Sequence, residues 1–229
     1  MVDGIGAPRA AVTRETIIDA ALRLLDEVGL DGLTVRRLAA ELEVKSPSLY
    51  WHIRTKQELL DSLADAILRR AGMDAPRDDE TWREWLARRA RQYRTSVLLH
   101  RDGARLIATA SSLNAETIDS FDRDLAALMD RGFTPGLALH AITTLTRYVN
   151  GLVLQEQAAP GNGMRTSPEQ VAAPTEPGAA PIPANLLAAL QEGGSLSGDA
   201  AFERGLRMVL DGVAAALDTS TAERNPPRR

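Results

Sequence analysis

Nine residues between Arg36 and Lys56 have types and spacing that could do chemistry together: Arg36, Lys45, Ser46, Pro47, Ser48, Tyr50, Trp51, His52 and Lys56. The cations can pair with phosphate oxygens. The serine hydroxyls and the Arg36 fork can hydrogen-bond to base edges, and the three rings add flat faces and edge donors. Such a set suits double-stranded DNA. Between Thr34 and Lys56 five Lys/Arg stand against two acids, Glu41 and Glu43, on a chain whose net charge is −4. A small basic face on an acidic protein fits a sequence-specific reader better than a non-specific coat. On charge alone a solvated surface is the simpler reading; the aromatic trio beside the cations is what it does not explain.

These residues need helices to hold them. Thr34 is placed to cap a short helix whose inner face is Val35, Leu38, Ala39 and Leu42. Arg36 and Arg37 fall in its first turn, where the helix dipole disfavours cations, so an external anion is the partner that makes sense of them. A turn over Glu41–Lys45 leads to Ser46 as N-cap and Pro47 as first helical residue of a second helix running through His52. Leu49 and Ile53 would bury its inner side. Upstream, Thr13 caps a helix from about Arg14 to Val28, with Gly29 as a left-handed C-cap. Downstream, Thr55 and Glu58 form a capping box for a helix that reaches about Ala71. The pattern predicts a helix-turn-helix head over 13–56 and a connecting helix over 57–72.

The rest, 80–219, reads as a second all-helical domain. A helix from Thr81 to His100 puts Arg89 and Tyr93 on one face with Trp82, Trp85 and Val97. An arginine on an apolar face needs a partner: either an internal acid such as Asp122 or Asp124, or an anionic ligand. Shorter helices are expected near 104–111 and over 114–130, closed by Gly132. A long one from Thr134–Pro135 to Gln157 is apolar on more than one face, which predicts a central or subunit-interface position. Residues 158–183 hold six prolines and are expected to form a poorly ordered loop. A short helix at 185–191 and a last one at 199–218 follow. The last helix could pair with 134–157, and two such pairs from two chains would make a four-helix core of a homodimer. The arm 1–12 and the tail 221–229 carry no pattern and are expected to be disordered.

The remaining chemistry is sparse. The 229 residues include no cysteine, which removes disulfides and thiolate metal sites and makes a cytoplasmic protein the expectation. No apolar run approaches the ~20 residues of a membrane span, and the first residues lack the apolar core of an export signal. There is no Gly-rich phosphate loop, HExxH or GxSxG, and His52, His100 and His140 have no metal-ligand spacing. No catalytic residue, metal site or cofactor is expected, and the chain does not read as an enzyme.

Three stretches carry a resemblance: Thr13 to Leu63, densest at LYWHIRTKQELLD; LLHRDGARL from Leu98; and GLVLQEQ from Gly151. On these the chain resembles the TetR family, within it the tetracycline-repressor branch. The resemblance implies an all-α homodimer that represses transcription, with recognition helices on a palindromic operator and a pocket whose ligand moves the fourth helix. It implies that Arg36 and Ser46–His52 face the operator and that Lys56 faces phosphate. It places pocket positions at Arg89, Tyr93, Ile107 and Gln155, and Leu106 and Ala110 beside them complete the expected ligand contacts. That pocket would be mainly apolar with one cation, suiting an aromatic or polyketide-like inducer that carries an acid or phenolate. Several positions depart from the branch. Glu43 stands where the family has Gly before the recognition helix. Ile107 replaces a magnesium-binding His and Gln155 an acid from the other subunit, with Glu156 adjoining. Arg89 replaces a drug-gripping Asn, and Gly72 lies near a lost His. These changes predict a repressor that does not sense tetracycline–magnesium. The alternative is a DNA-binding regulator with no small-molecule inducer.

Overall fold

The computed structural model describes residues 13–72, 74–158, 183–194 and 196–224. Among them are ten helices and no strand: α1 (Arg14–Gly32), α2 (Val35–Glu41), α3 (Ser46–Leu49), α4 (Lys56–Arg70), α5 (Trp82–Leu98), α6 (Gly103–Thr109), α7 (Ala115–Met129), α8 (Pro135–Gln157), α9 (Ala184–Gly193) and α10 (Gly198–Arg224). The all-α expectation is met. The expected arm over 1–12, and the Pro-rich stretch apart from Ala158 and Pro183, lie outside the described residues.

Local chemistry sets most boundaries. The Thr13, Thr34 and Thr55 hydroxyls accept from the backbone N–H three residues on, opening α1, α2 and α4. Thr81 and Glu84 form a reciprocal capping box on α5. At α4 the expected reciprocal box is offset: the Glu58 carboxylate accepts from the Arg54 N–H at 2.8 Å. Ile17, Ala21 and Leu25 of α1, Leu38 of α2, Leu49, Ile53, and Leu59 and Leu63 of α4 are buried together, in an apolar core that continues through Trp85 and Leu86 of α5 into the rest of the helices. α5 packs on α4, α6, α8 and α10. α8 pairs with α10, as its broad apolar coverage predicts. The Tyr148 hydroxyl donates to the Phe202 carbonyl at 2.9 Å, and the two rings stack at 6.1 Å.

Three expectations need correction, and one open point, the turn at Glu43, is resolved. The helix expected over Ser46–His52 is a single turn, Ser46–Leu49. Its N-cap is Lys45, with no side-chain cap, and Tyr50, Trp51 and His52 continue as a turn. Gly29 is not the end of α1 but a kink within it: at φ 71 and ψ 174 it breaks the helix, and the chain makes one more turn to Gly32. The turn after α2 keeps left-handed geometry despite its side chain, with Glu43 at φ 52. There the Glu43 N–H donates to the Ala40 carbonyl at 3.1 Å and the Val44 N–H to Ala39 at 2.9 Å, a Schellman motif with glutamate where glycine is favoured. Finally, the expected disordered tail is helical through Arg224, whose guanidinium donates to the Gly132 carbonyl at 2.6 Å and ties the end of α10 to the turn before α8.

Candidate functional site

Of the nine residues singled out for DNA, all but Ser46 are exposed, and Ser46 is half-buried. Trp51 is 89% exposed and Tyr50 49%. The inner side of this region is Leu49 and Ile53, both buried, so the fold spends two apolar anchors to present three rings to solvent. Arg36 is exposed, whereas the neighbouring Arg37 turns back to donate to the Gly32 carbonyl at 3.2 Å, closing the last turn of α1. Lys56 is the first residue of α4 and exposed.

The HRDGAR stretch turns out to join α1 to the second half of the chain. Asp102 adopts left-handed geometry at φ 57, and its carboxylate accepts from the Leu30 N–H at 2.8 Å, satisfying a donor that the Gly29 kink releases. A Cβ at Gly29 would lie 2.9 Å from that carboxylate and 3.2 Å from Arg101 Nε, so this close approach requires glycine. The Arg101 N–H and the His100 Nδ1 meet Asp26 at 2.9 and 3.1 Å, the Arg101 guanidinium donates to the Glu27 carbonyl at 3.0 Å, and Arg105 pairs with Asp31 through two 2.7 Å contacts. Gln157, in the GLVLQEQ stretch, fixes this turn from behind. Its Oε1 accepts from the Ala104 N–H at 3.1 Å and its Nε2 donates to the His100 carbonyl at 2.8 Å.

A second tie runs through α4. Asp61 and Asp65, one turn apart, are 9% and 5% exposed. Asp61 accepts from Gln57 Nε2 at 2.8 Å, the Ser111 N–H at 2.9 Å and the Ser112 hydroxyl at 2.7 Å. Asp65 accepts from the Asn114 N–H at 3.0 Å, at the start of α7. Burial opposes the Asp61 charge, but the hydrogen bonds from Ser112, Ser111 and Gln57 prevail and hold its pKa at about 2.

Between α4, α5, α7 and α8 lies a cavity of about 580 Å³. Leu86, Phe121, Ile142, Leu145 and Val149 give it an apolar wall. Two of the six expected ligand contacts, Arg89 and Tyr93, line it. The other four do not. Leu106 is fully buried in the core, Ile107 and Ala110 are half-buried at α6, and Gln155 is exposed on α8. Arg89 is 8% exposed, and its guanidinium meets the Asp124 carboxylate of α7 at 2.6 Å, one of the two internal acids expected as its partner. Burial pulls the Arg89 pKa down and pushes that of Asp124 up, while each partner's charge opposes the shift. Burial also pushes the Tyr93 phenol up. Phe121, Ile142 and Leu145 carried only the apolar periodicity of helix faces, which cannot separate a cavity wall from a filled core. Asp102, Asp61 and Gln157 sit in turns or on helix faces where their distant partners leave no local trace. Among the described residues no three His, Cys, Asp or Glu side chains are grouped to hold a metal ion, and no helix is long and apolar enough to cross a membrane.

Helices throughout the described residues, an exposed basic and aromatic turn at one end and a lined cavity behind it give the build of a helix-turn-helix regulator with a second, cavity-bearing helical domain. Comparison with known proteins agrees. Residues 17–63 match the profile of bacterial regulatory proteins of the tetR family, and residues 75–217 that of the tetracyclin repressor-like C-terminal domain. The tetracycline repressor protein class A from transposon 1721 of Escherichia coli is 40% identical over 200 residues, covering 87% of this chain and 89% of the repressor. The structure of apo ActR from Streptomyces coelicolor aligns with TM-score 0.78 at 28% identity, covering 92% of this chain and 99% of that one. That of TetR class A in complex with 5a,6-anhydrotetracycline and magnesium aligns with TM-score 0.65 at 37% identity, covering 87% and 96%. The chain belongs to the TetR family of DNA-binding transcriptional repressors.

Proposed function

We propose that this repressor binds a palindromic operator as a homodimer and is released by a small molecule held between α4, α5, α7 and α8. The observation that carries the reading is the cavity itself: about 580 Å³, walled in part by α4, the helix that leads directly from the DNA-facing turn. Its size falls within the range of drug-sized ligand sites. The head would comprise 13–56, the connecting helix 57–72 and the sensor and dimer domain 80–219. Exposed Leu139 and Leu154 on α8 and Met208 on α10 support pairing of these helices with a second copy. In the head, Arg36 and Ser46–Ser48 would read bases, while Lys45, Tyr50, Trp51, His52 and Lys56 would position the unit on phosphate and sugar.

The wall of Leu86, Phe121, Ile142, Leu145 and Val149 supports a largely apolar ligand, although Arg69, Arg89, Arg123 and Arg147 line the cavity where a single cation was expected. The anionic group expected to pair with Arg89 loses support, because Asp124 already holds that guanidinium. A tetracycline–magnesium complex fits poorly. Ile107 offers no metal ligand, Gln155 is neutral and exposed, and Arg89 is engaged internally. The test is selection of bound duplexes from a random-sequence pool, followed by displacement with compounds that raise the protein's melting temperature. A twofold-symmetric consensus released by such a compound is expected. Duplexes that stay bound at saturating compound would favour the alternative, a regulator without a small-molecule inducer.

A further inference from the structure

One face of α6 holds both the end of α1 and the start of α4. Arg105 and Thr109, four residues apart on α6, share that face. The Arg105 guanidinium donates to both Asp31 carboxylate oxygens at 2.7 Å, and the Thr109 carbonyl accepts from Gln57 Nε2 at 3.0 Å. Asp31 is the next-to-last residue of α1, and Gln57 follows Lys56, the first residue of α4. These two grips set the Asp31 carboxylate beside the exposed Lys56. The Arg105 hydrogen bonds hold the Asp31 carboxyl below its ordinary range, and the Lys56 charge adds to them.

An ion pair whose side chains are 81% and 46% exposed contributes little to stability. Its effect lies in the local charge. An uncovered Asp31 would draw the Lys56 ammonium to itself and would repel an approaching phosphate. The Arg105 fork meets both carboxylate oxygens and cancels that acid, and it does so from a helix outside the DNA-facing head. We propose that Arg105 is a positioning residue for DNA binding: by covering Asp31 it leaves Lys56 to the phosphate, so the grip of the head depends on a side chain of α6. This inference rests on the reading that Lys56 faces phosphate.

Fluorescence anisotropy of the full chain on a duplex selected by the parent, over a range of salt concentrations, tests it. Arg105→Gln is expected to weaken binding roughly threefold to tenfold at low salt, a deficit that shrinks as salt rises. Adding Asp31→Asn to Arg105→Gln replaces a neutral pair by a neutral pair and should recover the parent's affinity. In a Lys56→Ala chain the effect of Arg105→Gln should fall below about twofold, since the lysine it acts through is gone. Unaltered affinity in Arg105→Gln overturns the proposal. So does failure of Asp31→Asn to rescue, the result expected if Arg105 touches phosphate itself or serves only to tie α6 to α1. An equal loss with and without Lys56 overturns it as well. An unaltered salt slope for Lys56→Ala alone would sink the phosphate reading of Lys56, and the proposal with it.

Discussion

Replacing Asp61 by Asn should weaken the tie between α4 and the segment that leads into α7. The wild-type carboxylate accepts from Gln57, the Ser111 N–H, the Ser111 hydroxyl and the Ser112 hydroxyl, at 2.8, 2.9, 3.0 and 2.7 Å. An amide keeps one acceptor oxygen and points two donors at partners that are themselves donors. The native carboxyl titrates at about 2 against an ordinary value of 3.8, which by linkage is worth at most about 2.5 kcal/mol. Because unfolding exchanges these hydrogen bonds for bonds to water, only part of that shows as net stability, and we predict a loss of about 1–2 kcal/mol at pH 7. In a chain of this size that lowers the melting temperature by roughly 2–8 °C. The sign with pH follows from the direction of the shift. A depressed native pKa contributes stability that is complete above the unfolded value and is lost as pH falls through about 2. The gap between parent and Asp61→Asn should therefore be full at pH 7 and narrow toward pH 2. Urea unfolding at matched protein concentration across that range measures it. Equal stability at pH 7, or a gap that widens on acidification, would refute the reasoning.

Further predictions concern the head and its clamp. Glu43→Gly removes the strain of a left-handed non-glycine residue (~1–2 kcal/mol) at an unfolded-state entropy cost of roughly 0.5–1 kcal/mol, so urea melts should show a net gain on the order of 0.5–1 kcal/mol. Arg36→Ala should cost ~1–3 kcal/mol in binding to a selected duplex and relax preference at one base position, read by competition among single-base variants. Lys56→Ala should weaken all sequences alike and reduce the slope of log affinity against log salt by about one unit. Gly103→Ala should destabilise the fold by more than ~1 kcal/mol in thermal melts, because a Cβ there collides with the Val97 backbone carbonyl, which cannot swing aside as a flexible side chain can.

What was legible in the sequence was local. Thr13, Thr34 and Thr55 announce helix starts because a cap needs only residues within one turn, and all three cap as expected. The α8–α10 pairing was readable because its apolar stripes are long. Legibility failed where a distant partner decides. Gly29 reads as a terminator, yet Asp102, far along the chain, takes the N–H that a kink frees and lets α1 continue. The polar end of α10 reads as a tail, yet Arg224 finds Gly132. Arg89 was correctly placed among apolar neighbours, and only packing could choose between Asp124 and a ligand. The cavity's Phe121, Ile142 and Leu145, on α7 and α8, look in the sequence like any core residue. The family's shared motifs were legible as motifs; that HRDGAR is hydrogen-bonded to α1, with Gln157 of GLVLQEQ holding that turn from behind, emerged only from the packing.

The most direct test of the account is fluorescence anisotropy of a selected duplex bound to the purified protein, titrated with a compound that occupies the α4–α8 cavity. It is run on the parent and on Thr146→Phe, which fills that cavity from α8. The account predicts that the signal falls to the free-duplex value for the parent, while Thr146→Phe binds the duplex equally well and does not release it. Release of equal midpoint from both proteins, or saturation of the parent with its duplex still bound, would contradict it.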